Sequence, residues 1–319
     1  MTRIAVLDDY LKIAPEVGGW DRLPDGASVD FFHDHLDEER AIIERCAPYD
    51  VIVLTRERTT FTRDLIESLP NLKLLITVSA RNRKIDFEAC RERGIPVCHT
   101  LQGSGPTSEH TWALILALYK NLLLEDRSMR AGEWGVAIGR EVLGKRLGLV
   151  GLGKLGKKVA RVGLAFEMDV VAWSPNLTDE RAAEAGVKRV SKEELFATSD
   201  IVSVHIVLSD RTRGVVGRDD IARMKKTACL INTSRGPLVD EAALVDALRS
   251  GAIAGAGLDV YDQEPLPLDH PLRDMPNIVV TPHTGGFTRE TYTLWYGGAC
   301  ENVLAWLNGK PIRILQPPK

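Results

Sequence analysis

Along most of the chain, short runs of β-branched and aliphatic residues alternate with stretches whose apolar positions recur at helical spacing. RIAVL (Arg3 to Leu7), VDFFH (Val29 to His33), VIVLT (Val51 to Thr55), LKLLITV (Leu72 to Val78) and IPVCHT (Ile95 to Thr100) predict five strands. Between them EERAIIERC, TRDLIESL and DFEACRERG predict helices, the last followed by Gly94 in the position that closes a helix. Such alternation implies a parallel sheet covered on both faces, of flavodoxin-like type. The stretch from Thr107 to Trp134 predicts a long helix starting around Thr107, Ser108 and Glu109; its first half is apolar nearly all round, which places it in a core or against a second subunit. A second series, RLGLVGLG, DVVAWS, DIVSVHI, TACLINTS, GAGLDVY and NIVVTPH, supplies six strands between Arg146 and His283, enough for a doubly wound dinucleotide-binding fold. After Gly286 the pattern predicts one amphipathic helix interrupted at Gly297 and Gly298, returning to the first domain.

Composition narrows the classes. A length of 319 residues suits two domains, and 44% hydrophobic residues exclude a mainly disordered chain. With 41 basic and 44 acidic residues and no block of like charge, the chain lacks the electrostatic footprint of a nucleic-acid or polybasic membrane binder. The five cysteines are scattered, without the close pairs that mark zinc or redox sites, so no metal site is expected and the thiols read as reduced. ALILALY is closed by Lys120 and Asn121, far short of a span, and the acidic pair in MTRIAVLDDY is unlike a secretory leader; the expectation is a soluble, cytoplasmic protein.

GLGKLG sets Gly151, Gly153 and Gly156 in G-x-G-x-x-G register, directly after an apolar strand and at the head of a helix. The first glycine permits the tight turn, the second lets main chain approach a pyrophosphate, and the third allows close helix–strand packing, with helix N–H groups meeting the phosphate charge. The competing readings are a glycine-rich turn without ligand and a methyltransferase-like nucleotide site. Where a carboxylate would normally bind the adenosine ribose of NAD, the second strand ends in Ser174, Pro175 and Asn176. No acid excludes a 2′-phosphate there, and only Arg181, folding back from the next helix, could welcome one; NAD and NADP both stay open.

Three further strand ends carry Arg235 (NTSRGPLVDE), Asp259 and Glu264 (LDVYDQEPLP) and His283 (TPHTGG), where doubly wound sheets bind ligands. A lone histidine or arginine is more often structural or solvated; their joint placement favours chemistry. Hydride transfer to the carbonyl carbon of a 2-oxo acid leaves an alkoxide that needs a proton, which His283 can supply. Glu264 hydrogen-bonded to the far ring nitrogen would fix its tautomer, and the planar fork of Arg235 suits the substrate carboxylate and carbonyl. Asp259 is read as a partner for the nicotinamide carboxamide.

These motifs, with SVHIVLSDRTRGVVG and MKKTACLINTSRGPLVDEAALVDAL, occur in an order and spacing that resembles the D-isomer-specific 2-hydroxyacid dehydrogenase family over almost the whole chain. The resemblance implies an α/β architecture of two doubly wound parallel-sheet domains: a Rossmann nucleotide-binding domain (102–286) inserted in a flavodoxin-like substrate domain (1–101 and 287–319). It also implies NAD or NADP as cofactor, homodimers through the nucleotide domain and a catalytic set of Arg235, Glu264 and His283. The cofactor would be lined by Gly151, Gly153, Lys154, Leu155, Gly156, Ser174, Asn176, Val207, Thr212, Thr233, Ser234, Asp259 and Gly285. The formate dehydrogenase branch carries glutamine where Glu264 stands. The chain departs from the family in its first domain, where VSARNRKID replaces a glycine-rich loop whose N–H groups hold the substrate carboxylate. Ala80, Arg81 and Asn82 there, with Arg56 of TRERT, are candidate contacts for the substrate carboxylate or a second anionic group, Arg58 being a further cation at the same strand end, against a reading as surface or interdomain ion pairs. Trp134, Tyr292, Trp295 and Tyr296 could wall the pocket or serve only packing. The expected activity is NAD(P)-dependent interconversion of a small-molecule 2-oxo acid and a D-2-hydroxy acid. The alternatives are an enzyme of phosphoglycerate dehydrogenase type, whose regulatory extension is not seen before Lys319, and a nucleotide-sensing, corepressor-like binding protein.

Overall fold

The computed structural model describes residues 1–78, 82–101, 103 and 105–315. The chain divides into two compact units, Met1–Ser104 with Phe287–Lys319, and Gly105–Gly286.

The first unit is built on five parallel strands, β1 (Thr2–Val6), β2 (Ala27–Phe31), β3 (Val51–Leu54), β4 (Leu74–Thr77) and β5 (Val97–His99), in the order β2-β1-β3-β4-β5. β3 and β4 are buried at every position, which is why their sequences are continuous apolar runs rather than alternating ones. One face packs on Ile42, Leu65 and Ile66 from flanking helices and on Leu69 just beyond one of them, the other on Tyr292, Trp295, Tyr296 and Val303 from the last helix. That helix, Arg289–Leu307, is continuous through Gly297 and Gly298, contrary to the interruption expected. Gly298 is there for closeness: a Cβ would come within 3.2 Å of Thr100 Cβ. The sheet order reverses between β1 and β3, and Asp8 and Asp9 follow the first of these strands and Thr55 and Arg56 the second, at the carboxyl edge.

The second unit has seven parallel strands, β6 (Arg146–Val150), β7 (Asp169–Trp173), β8 (Lys188–Arg189), β9 (Ile201–Val204), β10 (Cys229–Asn232), β11 (Gly255–Leu258) and β12 (Ile278–Val280), in the order β12-β11-β10-β9-β6-β7-β8. β8 has no sequence signal, being two exposed basic residues paired to the edge of β7. The order reverses between β6 and β9. The predicted long helix is two: Pro106–Tyr119 and Leu122–Arg130. Asn121, at φ 50°, takes the left-handed turn between them, a conformation its short amide tolerates. The first starts at Pro106 after a Gly105 cap rather than at Thr107, and the Ser108 hydroxyl donates back to the Gly105 carbonyl. No helix of the described residues is long and apolar enough to cross a membrane.

Candidate active site

The glycine turn sits at the reversal of the second sheet, between β6 and the helix Lys154–Ala165. Its three glycines answer to different constraints. Gly151 adopts φ +106°, and a Cβ there would lie 2.7 Å from the His205 carbonyl. A Cβ on Gly156 would drive into the Gly151 carbonyl oxygen. Gly153, at φ −81°, meets nothing within 4 Å, so the protein itself does not require a glycine there. The space beside Gly153 and the helix N-terminus, where no side chain caps the free N–H groups, fit a pyrophosphate.

At the same carboxyl edge, Glu264 and His283 meet. Glu264 Oε2 lies 2.6 Å from His283 Nδ1, while Oε1 accepts the Tyr261 N–H at 3.0 Å. Burial alone would raise the Glu264 carboxyl, but the hydrogen bond and charge of His283, the Tyr261 N–H and the charge of Arg235 together hold it below its ordinary value. An ionised carboxylate only accepts, so Nδ1 carries a proton toward it and Nε2 is left for proton transfer. His283 has φ 54°, a left-handed conformation that costs free energy unless the surroundings impose it. They do so through Asp259, which is 1% exposed: Oδ1 accepts from Thr281 Oγ1 at 2.6 Å and Thr284 N at 2.8 Å, and Oδ2 from Gly285 N at 2.9 Å. Burial pushes the Asp259 carboxyl up, and these bonds with His110 outweigh it, so it stays ionised below the usual carboxylate range. Arg235, exposed after β10, donates to the Ser234 carbonyl at 2.6 Å.

Residues 112–285 match the family model described as D-isomer specific 2-hydroxyacid dehydrogenase, NAD binding domain. The chain belongs to the D-isomer-specific 2-hydroxyacid dehydrogenase family. It is 40% identical over 257 residues to a glyoxylate reductase of Aeropyrum pernix, 77% of each chain. It is 37% identical over 263 residues to a D-3-phosphoglycerate dehydrogenase of Bacillus subtilis, 82% of this chain but 50% of that one, so it spans about half the length of that relative. Among solved structures, a putative D-3-phosphoglycerate dehydrogenase oxidoreductase from Ralstonia solanacearum superposes with a TM-score of 0.90 at 36% identity, covering 99% of this chain and 97% of that one. This member of the family is therefore an NAD(P)-dependent oxidoreductase acting on the CH–OH group of a 2-hydroxy acid.

The other residues singled out from the sequence fall into three groups. Lys154 and Leu155 open the helix behind the glycine turn, and Ser174 and Asn176 follow β7, where Arg181 does fold back, Nη1 lying 3.5 Å from the Asn176 carbonyl oxygen. Val207, 75% exposed, and Thr212 share one turn after β9, the Thr212 hydroxyl bonding the Val207 carbonyl at 2.7 Å. Thr233 is tied at 2.8 Å to Thr111, and Ser234 donates to the Val204 carbonyl at 2.7 Å. In the first unit Arg56 sits at φ 61° with its guanidinium 6.0 Å from the Trp295 ring centroid. Asn82 is buried, its amide nitrogen donating to the Arg56 carbonyl at 2.8 Å and to Thr77 Oγ1 at 3.1 Å, its oxygen accepting from Lys84 N at 2.9 Å. Ala80 and Arg81 lie outside the described residues. Trp134 is 85% exposed in the second unit, whereas Tyr292, Trp295 and Tyr296 pack against the first sheet.

Two contributors escaped the sequence reading. Tyr261 donates its hydroxyl to the Thr281 carbonyl at 2.9 Å, and His110 Nε2 lies 2.9 Å from Thr281 Oγ1. Tyr261 stands inside an already noted motif, but His110 comes from a helix whose pattern announces only packing.

Proposed function

We propose that His283 is the general acid and base, delivering a proton from Nε2 to the substrate oxygen during 2-oxo acid reduction and removing it in the reverse direction. Glu264 holds the ring through Nδ1 and stabilises the imidazolium. Arg235 binds the substrate carboxylate and polarises the carbonyl. The bound dinucleotide supplies or accepts the hydride. Its pyrophosphate is held at Gly151 to Gly156, with Lys154, Leu155, Ser174, Asn176, Val207, Thr212, Thr233, Ser234 and Gly285 lining the site. Asp259 has one acceptor position left on Oδ2 after its three short bonds, which suits one carboxamide N–H. The observation that carries this reading is the 2.6 Å pairing of Glu264 with a histidine held in a left-handed turn at the edge that also bears the glycine turn.

In the first unit, Arg56 is assigned to the substrate's anionic end, and Asn82 to fixing the Arg56 main chain rather than to touching substrate, because its polar atoms are spent inside the protein. We assign Arg81 to the same anionic end from its sequence position alone. Leu122, Leu123, Leu124, Met129, Trp134, Val136 and Ile138 are all exposed in one stretch of the second unit, an apolar surface suited to a second copy of the chain, hence a homodimer. Five buried, unpaired cysteines suit the reducing cytoplasm.

The test is dinucleotide oxidation by the purified protein with NADH and NADPH against glyoxylate, hydroxypyruvate, pyruvate, phosphohydroxypyruvate and oxaloacetate. Turnover giving the D-hydroxy acid supports the reading; tight dinucleotide binding without turnover of any 2-oxo acid overturns it in favour of a nucleotide-sensing protein.

A further inference from the structure

His110 lies on the helix Pro106–Tyr119, outside every motif that carries the chemistry, yet its ring reaches the centre of the catalytic loop. Its Nε2 is 2.9 Å from Thr281 Oγ1 and 3.3 Å from Asp259 Oδ1. The proton arrangement follows from counting hydrogens. Thr281 Oγ1, 2.6 Å from an ionised carboxylate that cannot donate, must give its single hydrogen to Asp259. It has none left for His110, so the imidazole donates from Nε2 to the Thr281 oxygen. The result is a directed chain, His110 to Thr281 to Asp259, in which each bond polarises the next. Packing enforces the same arrangement: a Cβ on Gly285 would lie 2.8 Å from Asp259 Oδ2 and 3.2 Å from His110 Cδ2, so the loop closes on both side chains only because residue 285 is glycine.

We propose that His110 is a positioning residue for the nicotinamide end of the cofactor, holding Thr281 and Asp259 so that the free Oδ2 position faces the carboxamide and the turn carrying His283 stays in place. This rests on the reading above that Asp259 receives the carboxamide. Without the His110 donor the Thr281 hydroxyl loses the partner that polarises it, and one of the three short bonds that hold the Asp259 carboxylate weakens while those from Thr284 N and Gly285 N remain. The consequence is local to the nicotinamide: the adenosine and pyrophosphate half, held by the glycine turn, does not depend on His110.

The experiment compares the dissociation constants of NADH and of ADP-ribose, which lacks nicotinamide, by calorimetry on the full-length protein and its His110→Phe and His110→Gln variants, with melting temperatures recorded alongside. His110→Phe should weaken NADH about tenfold and leave ADP-ribose unchanged, and His110→Gln, which restores an N–H near the Nε2 position, should recover most of the loss. Equal weakening of both ligands, no weakening of either, or a glutamine variant as impaired as phenylalanine would reduce His110 to packing and overturn the proposal. Should the phenylalanine variant not fold, nitrogen NMR of the wild-type imidazole decides: the neutral ring must carry its proton on Nε2, and an Nδ1–H tautomer overturns the chain. Wild-type turnover of 2-oxo acids is measured separately, so a failure of the enzymatic reading shows as absent turnover, whatever His110 does to binding.

Discussion

Replacing Glu264 by glutamine keeps the size of the side chain and removes its charge. The two carboxylate oxygens have separate partners, Tyr261 N at 3.0 Å and His283 Nδ1 at 2.6 Å, and an amide has only one acceptor oxygen. One donor would therefore face an NH2 group, at a cost of about 1–3 kcal/mol. The electrostatic change bears on the chemistry. Two unit charges at contact interact by about 4 kcal/mol at an effective dielectric constant of about 20. The His283 and Glu264 side chains are 27% and 34% exposed, and screening reduces this to about 1–2 kcal/mol, equivalent to about tenfold in rate. The carboxylate stabilises the positive charge on the ring that delivers the proton, and an amide does not. Glu264→Gln should therefore lower kcat/KM for 2-oxo acid reduction about tenfold and leave dinucleotide affinity unchanged. The assay is kcat/KM for 2-oxo acid reduction, with dinucleotide affinity determined on the same samples. A rate equal to that of the wild type, or a loss that dinucleotide affinity shares in full, would refute the pairing as a determinant of proton delivery.

The glycine turn predicts opposite outcomes for one substitution at two positions. Gly153→Ala should fold with an unchanged melting temperature and lose dinucleotide affinity at least tenfold, whereas Gly156→Ala, meeting the Gly151 carbonyl, should lose stability by about 1–3 kcal/mol in denaturant titration; the reverse pattern contradicts the assignment. Ser174→Asp and Arg181→Ala should each lower kcat/KM for NADPH relative to NADH, and unchanged ratios would remove the end of β7 from cofactor choice. Burial lowers the His205 imidazole to about 4, so between about pH 6.5 and 4 the unfolded chain binds a proton that the folded chain refuses. Stability present above pH ~6.5 is then lost as the pH falls, by on the order of 3 kcal/mol, and His205→Gln should flatten melting temperature against pH in that window; an unaltered slope refutes it.

The strands were legible because parallel strands buried on both faces are continuous apolar runs, and β3, β4, β9 and β10 are buried at every position. β8 was not, since an exposed Lys188–Arg189 pair carries no periodicity. Glycine misled at Gly297 and Gly298, which the helix runs through; close packing on Thr100 explains the second, and nothing in the structure explains the first. Asn121 ended a helix that the apolar pattern carried through. The meeting of Glu264 and His283 was readable because each follows a strand of a doubly wound sheet, where position along the chain fixes position at the edge. His110 and Asn82 were not readable: the first reaches the loop from a packing helix, and the second bonds mainly to a main-chain carbonyl 26 positions away, a partner that leaves no trace in side-chain spacing.

Proton delivery by His283 carries the proposed chemistry. The direct measurement is kcat for 2-oxo acid reduction by His283→Gln beside the wild type, with dinucleotide affinity determined on the same samples. A loss of roughly 10²-fold or more in kcat at unchanged affinity is the predicted result. A variant that reduces the 2-oxo acid at the wild-type rate would contradict it.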